Sequence, residues 1–307
     1  MSATECTDQN NAHERDRPRH PGQRPMSIAI GTMPLRHGLT LRGYSICMRG
    51  VMWREALRFL HQRGRLISAL VRPLVWLVIF AAGWREVLGV SIMPPYHTYI
   101  LYSTYVVPGL LAMVQFFYGM QSSLSMVYDR EMGNMRVLLV SPFPRWFLLV
   151  SRLTASTVIS ILQCYAFMLL AWLWGVDIPD AGWIAVLPAL MLGGFMLGAM
   201  GMVLSSMVRQ LENFAGVMNF VIFPMFFASS ALYPLWQVQQ SSPILYQACL
   251  LNPFTYAVEL SRFCLYSTFN PLALAVVVGC TIVFTAGAIL AYDPARGVMA
   301  RRPGAMA

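Results

Sequence analysis

Five stretches of this 307-residue chain contain no Asp, Glu, Lys or Arg: residues 87–128, 153–176, 181–208, 213–258 and 263–292. A helix needs about 20 apolar residues to cross the hydrocarbon core of a bilayer. In lipid every backbone N–H and C=O must be paired within the spanning structure, so long apolar runs of this kind cross as helices. Charged residues make up only 11% of the chain, against about 25% in a typical soluble domain. The pattern predicts an all-α polytopic membrane protein.

All 22 basic residues are Arg, with no Lys at any position. A phosphate-binding P-loop needs a Lys to reach the β- and γ-phosphates, so this chain carries no ATPase site of that kind. A Schiff-base mechanism is excluded for the same reason. The five His residues all lie at or before His97, which leaves no pair of later spans able to hold haem or a metal through imidazole. No metal or catalytic residue is expected. The six Cys, at 6, 47, 164, 249, 264 and 280, form no CxxC pair. They read as small apolar residues, with a Cys249–Cys264 disulfide as the alternative.

Residues 1–40 are polar and rich in Pro, Arg, His and Asn, which reads as a disordered extension. They lack the apolar core and cleavage site of a signal peptide. Met26, Met33 and Met48 offer alternative starts. Residues 43–65 follow, with Ile46, Met48, Met52, Trp53, Ala56, Leu57 and Leu60 at helical spacing between Arg49, Arg54, Arg58 and Arg65. This predicts an amphipathic helix on the membrane surface, the Arg residues near anionic head groups. A transmembrane domain over 41–295 then holds six spans, at about 67–86, 100–127, 148–174, 183–207, 214–233 and 272–292. Arg72 in the first is placed to snorkel to the interface. Pro108-Gly109 is expected to break the second, and Pro224 to kink the fifth. Gly194 and Gly198 in the fourth form a small-xxx-small seam. The region from Tyr233 to Arg262, punctuated by Pro234, Pro243 and Pro253, reads as short helices that enter and leave one leaflet. A further full span near 244–266 is the alternative. Residues 296–307 form a tail.

Arg distribution sets the orientation. With six spans and both termini inside, 20 of the 22 Arg are cytoplasmic and only Arg85 and Arg262 lie outside. The spans lack mid-membrane carboxylates, which disfavours a carrier driven by an ion gradient. Tyr102, Tyr105, Phe116, Phe117 and Tyr118 in the second span either line a path for an aromatic or lipid-like cargo or serve as packing.

The first cytoplasmic loop runs Asp129-Arg-Glu-Met-Gly-Asn-Met-Arg-Val-Leu-Leu-Val-Ser-Pro-Phe-Pro-Arg145. Residues 131–140 fit a short helix stopped by Pro142. With Met132, Met135 and Leu139 on one face and Arg130 and Glu131 available for polar contacts, it suits a groove on a soluble partner. A plain amphipathic surface helix fits the pattern equally. Glu131 at its start favours the helix N-terminus, and Gly133 permits close approach.

This loop resembles the permeases of ABC-2 type exporters, whose pattern is roughly E-x-G-T-x-x-x-L-x-x-S-P. Glu131, Gly133, Leu138 or Leu139, Ser141 and Pro142 stand on it, and Asn134 replaces the usual Thr. A second block starts at Arg209-Gln-Leu-Glu212-Asn213, and a third at Leu251-Asn252-Pro253-Phe-Thr-Tyr. Together they extend the resemblance over roughly residues 45–292. It is similar to the branch that includes nodulation-factor and drug-resistance permeases, and to permeases encoded beside quinoprotein alcohol oxidation genes.

The resemblance implies a six-span permease subunit of an ATP-driven exporter in the cell inner membrane. It moves an amphipathic, lipid-like or glycan-linked compound outward. ATP and Mg belong to a separate ABC nucleotide-binding subunit, and a second permease copy completes a homodimer within membrane lipids. Arg130, Glu131, Met132, Gly133, Met135 and Arg136 fall on the family's coupling helix. Residues 43–65 fall on its interfacial helix, and 234–268 on its re-entrant pair. Nucleic acid is not expected among the partners. A membrane enzyme or anchor subunit without an ABC partner is the alternative function.

Overall fold

The computed structural model describes residues 41–61, 63–83, 94–96, 101–131, 143–208 and 211–292. All regular structure among them is helical: α1 Leu41–His61, α2 Arg63–Gly83, α3 Tyr102–Glu131, α4 Arg145–Leu173, α5 Gly182–Ala185, α6 Leu187–Met207, α7 Leu211–Phe227, α8 Leu235–Ser241, α9 Pro243–Leu251, α10 Pro253–Leu265 and α11 Pro271–Ala291. The expected 1–40 extension and 296–307 tail lie outside the described residues.

Among the described residues, four helical segments are long and apolar enough to cross a membrane: Tyr102–Tyr128, Arg145–Leu173, Gly182–Met207 and Pro271–Ala291. They fall on the second, third, fourth and sixth expected spans. Among the described residues, α2 and α7 carry apolar segments at Leu70–Ile79 and Gly216–Phe227, on the first and fifth expected spans. In the first, α2 continues through Arg72 and Pro73. In the fifth, α7 ends at Phe227 rather than near 233, with Pro224 in its last turn. The chain then turns through 228–233.

Pro108 does not break the second span. Its missing N–H removes one hydrogen bond in the second turn of α3, and the helix continues to Glu131. Gly109 has a packing role instead: a Cβ there would lie 2.7 Å from the Ala231 carbonyl oxygen. Its absence lets the 228–233 turn rest directly on α3.

α3 is the central element. Leu110, Leu111, Phe116 and Met120 are fully buried on it. The expected glycine seam on α6 is present and faces α3. A Cβ on Gly119 would come within 2.9 Å of the Gly198 Cα, and one on Gly198 within 2.8 Å of Leu153 on α4. The two backbones therefore approach as closely as small residues allow. By contrast, only 17% of the apolar window of α11 is buried within the protein. Its exposed Leu272, Ile282, Val283 and Leu290 form a face suited to lipid rather than water.

The prolines between 234 and 271 start helices rather than interrupt them. Pro243, Pro253 and Pro271 each open a helix, where the missing N–H costs nothing. The preceding residues cap: Asn252 Oδ1 accepts from Phe254 N at 3.0 Å and Asn270 Oδ1 from Ala273 N at 3.1 Å. Short helices therefore replace the alternative full span near 244–266.

α1 packs against α4. Tyr44 packs edge-on to Phe147 at 4.7 Å near the start of α4. Further along, Glu55 and Phe59 share a cleft with Gln163, 16 residues beyond Phe147 and about 24 Å up the helix. Its amphipathic division survives: Leu41, Ile46, Trp53, Leu57 and Leu60 are exposed.

Candidate functional site

The expected coupling residues fall at the end of α3 and beyond it. Arg130 and Glu131 are the last two residues of α3. Met132, Gly133, Met135, Arg136, Ser141 and Pro142 lie outside the described residues. No Gly or Pro stands between Gly119 and Gly133, so the helical ladder runs on past the apolar stretch. Arg209 also lies outside the described residues. Glu212 and Asn213 occupy the first turn of α7, and Asn213 is exposed.

Asn252 and Pro253, the third motif block, are fully placed. Asn252 is 8% exposed. Its side chain caps α10, and its Nδ2 donates to the carbonyls of Met225 and Ala228, both at 2.7 Å. One amide therefore closes the C-terminus of α7 and opens α10.

Further donors converge on the same turn. Tyr102 Oη donates to Leu232 O at 2.7 Å and Tyr105 Oη to Ser230 O at 3.0 Å. Arg262, 3% exposed, donates to Ser230 O at 2.7 Å. It pairs with Glu259, and its guanidinium lies 4.1 Å over the Tyr105 ring. Tyr96 stacks edge-on against Tyr266 at 4.7 Å. Burial pushes the Tyr96 phenol up to about 12, against the opposing pull of Arg262. Of the aromatic residues of the second span, Tyr102, Tyr105, Phe116 and Phe117 are buried in packing, while Tyr118 is half-buried and borders two clefts. Cys249 and Cys264 are free thiols, so the alternative disulfide is absent.

Two features went unread in the sequence. Arg72 does not snorkel to a helix end. Its guanidinium lies 3.9 Å over the Phe117 ring, 14 residues and about 21 Å of helix from Glu131. It lines a cleft with Pro73, Met113, Val114, Tyr118 and Gln121. An adjoining cleft shares Tyr118 and Gln121 and adds Glu55, Arg58, Ser122 and Gln163. Glu55 is buried, although it sits on a helix dense in Arg. Arg58 and Arg54 hold its carboxylate at 3.2 and 3.4 Å. The signal for Arg72 was present in the sequence: a cation inside a span points to function before structure.

A helical fold of this kind serves unrelated functions, so relatives must narrow it. The family model described as ABC-2 type transporter matches residues 48–266. A protein of Cyanophora paradoxa named as the transport permease ycf38 is 30% identical over 210 residues, covering 66% of this chain and 68% of that one. Its namesake from Pyropia yezoensis is 26% identical over 232 residues, 73% of this chain and 75% of the relative. YbhR of Escherichia coli K12, named as a multidrug ABC transporter permease, is 27% identical over 171 residues, 54% of this chain and 45% of its own. The matched region includes both the α3 terminus and the Asn252-Pro253 junction. The chain belongs to the ABC-2 type transporter family, as a multi-pass membrane permease.

Proposed function

We propose that the chain is the transmembrane half of an ATP-driven exporter of an amphipathic, lipid-like or glycan-linked compound. The observation that carries this reading is the family match across 48–266, joined to a sequence with no Lys for a P-loop. Energy then comes from an ABC nucleotide-binding subunit, which holds ATP and Mg. That subunit docks on the segment starting at Arg130 and Glu131 and continuing through Met132, Gly133, Met135 and Arg136. Two permease copies pair in the inner membrane. ATP binding biases the equilibrium between inward- and outward-facing states.

In this reading six spans cross with both termini inside. α2 and α7 belong to the first and fifth spans, and α8 to α10 form the re-entrant region. The 20-to-2 division of Arg supports the orientation. Reporter fusions at Arg145 and Asp180 are expected to report opposite sides, and equal outside accessibility would refute the topology. Co-purification with a soluble ABC ATPase, and stimulation of its hydrolysis in proteoliposomes, test the energy source. A permease that transports without any such subunit would refute it.

A further inference from the structure

We infer that the joined clefts between α1, α2, α3 and α4 bind the head group of an anionic amphiphile from the surrounding leaflet, one that carries a hydroxyl. The inference needs only the membrane placement of the chain, not export or an ATPase.

Arg72 supplies the anion-binding part. An arginine inside a span is costly unless something pairs with it. Among the described residues no carboxylate reaches it: Glu259 pairs with Arg262, and Glu55 is held by Arg54 and Arg58. Its one described partner is the Phe117 ring. That contact covers one face of the guanidinium and leaves the N–H edge for a bidentate anion. Gln121 borders both clefts and adds an amide donor beside it.

Gln163 supplies the second, independent observation. It is 3% exposed, and its Oε1 has no hydrogen-bond partner. Ser122 Oγ, on the same cleft wall, is also unsatisfied. Buried polar atoms of this kind carry a desolvation cost that a ligand recovers. A phosphate oxygen cannot donate to Oε1, so the complementary group is a hydroxyl attached to the anion. The Glu55 carboxylate, neutralised by two arginines, leaves the local balance positive. Apolar chains have a ready track outside: Trp53, Leu57 and Leu60 on α1, and Val71, Val75 and Ile79 on α2, are all exposed.

The test uses the purified full chain in phosphatidylcholine bilayers, with trace spin-labelled phosphatidylglycerol, phosphatidic acid or phosphatidylcholine read by electron paramagnetic resonance. Wild type should retain phosphatidylglycerol about fivefold over phosphatidylcholine, the scale of one basic residue against an anionic lipid. Arg72→Gln should abolish that preference, whereas Arg145→Gln, at an exposed helix start, should keep it. Gln163→Leu leaves every charge in place. It should remove the advantage of phosphatidylglycerol over phosphatidic acid, which lacks the glycerol hydroxyls. An unchanged preference in Arg72→Gln, or none in wild type, overturns the site. If Arg72→Gln fails to fold, the Gln163→Leu comparison decides alone, and an unchanged ratio there overturns the hydroxyl assignment. Displacement of the label by millimolar inorganic phosphate overturns the lipid source and assigns the clefts to a soluble phosphate.

Discussion

Replacing Asn252 by Ala removes three hydrogen bonds at one stroke. Two run from Nδ2 to the carbonyls of Met225 and Ala228, and one is accepted by Oδ1 from Phe254 N. Each lost side-chain bond to a buried carbonyl is worth about 0.5–1.5 kcal/mol. Losing an N-cap costs about 0.5–2 kcal/mol more. The site is nearly closed to solvent, so water does not restore the bonds. The expected loss is about 2–4 kcal/mol, which for a domain this size lowers the melting temperature by about 5–15 °C. The assay is the midpoint of loss of the monodisperse chromatographic peak in detergent on heating. Asn252→Asp separates the two roles, because it keeps the cap but sets a carboxylate against two carbonyls. It should be at least as destabilised as Asn252→Ala. A midpoint for Asn252→Ala within about 1 °C of wild type would refute the view that this residue joins α7 to α10.

Gly109→Ala forces a methyl into the Ala231 backbone and should cost about 1–3 kcal/mol. Gly50→Ala, with nothing within 4 Å of the added Cβ, should stabilise α1 by about 0.5–1 kcal/mol; thermal midpoints of the pair compare them. Arg262→Gln breaks a buried ion pair and should cost about 3–5 kcal/mol, seen as reduced yield and an early thermal transition with insertion intact. Glu131→Ala and Gly133→Leu should leave a folded, inserted permease that binds its ATPase roughly tenfold less tightly. Normal co-purification and transport in both variants would remove the coupling assignment.

The long helices were readable because apolar length is a local property. Uncharged runs and their bounding Arg or Pro residues placed α3, α4, α6 and α11 within a few positions. The helix starts at Pro243, Pro253 and Pro271 were readable in kind but not in direction: a proline marks a boundary, and only the structure tells which side is helical. The partners of Arg72, Glu55 and Arg262 were not readable, because each is set by a contact between segments. Tyr102 meets Leu232 across 130 positions, and no periodicity carries that information. Of the motif residues, Asn252 gained a physical role from the fold. Met132 through Pro142 rest on sequence resemblance alone.

The turn at 228–233 has a mechanical consequence. Tyr102 and Tyr105 from α3, and Asn252 and Arg262 from the cap and body of α10, hold backbone carbonyls between Met225 and Leu232. Sliding α3 against α7 or α10 at this end would strand those carbonyls together, so the three ends travel as one rigid body. At the opposite end the helices are tied by side-chain hydrogen bonds, between Ser205 and Tyr292 and between Arg152 and Ser125. There α6 stops at Met207 and Val208 takes an extended backbone with φ −88° and ψ 130°. A change of helix tilt there exchanges single side-chain contacts, whereas at the clasped turn it would strand several carbonyls together.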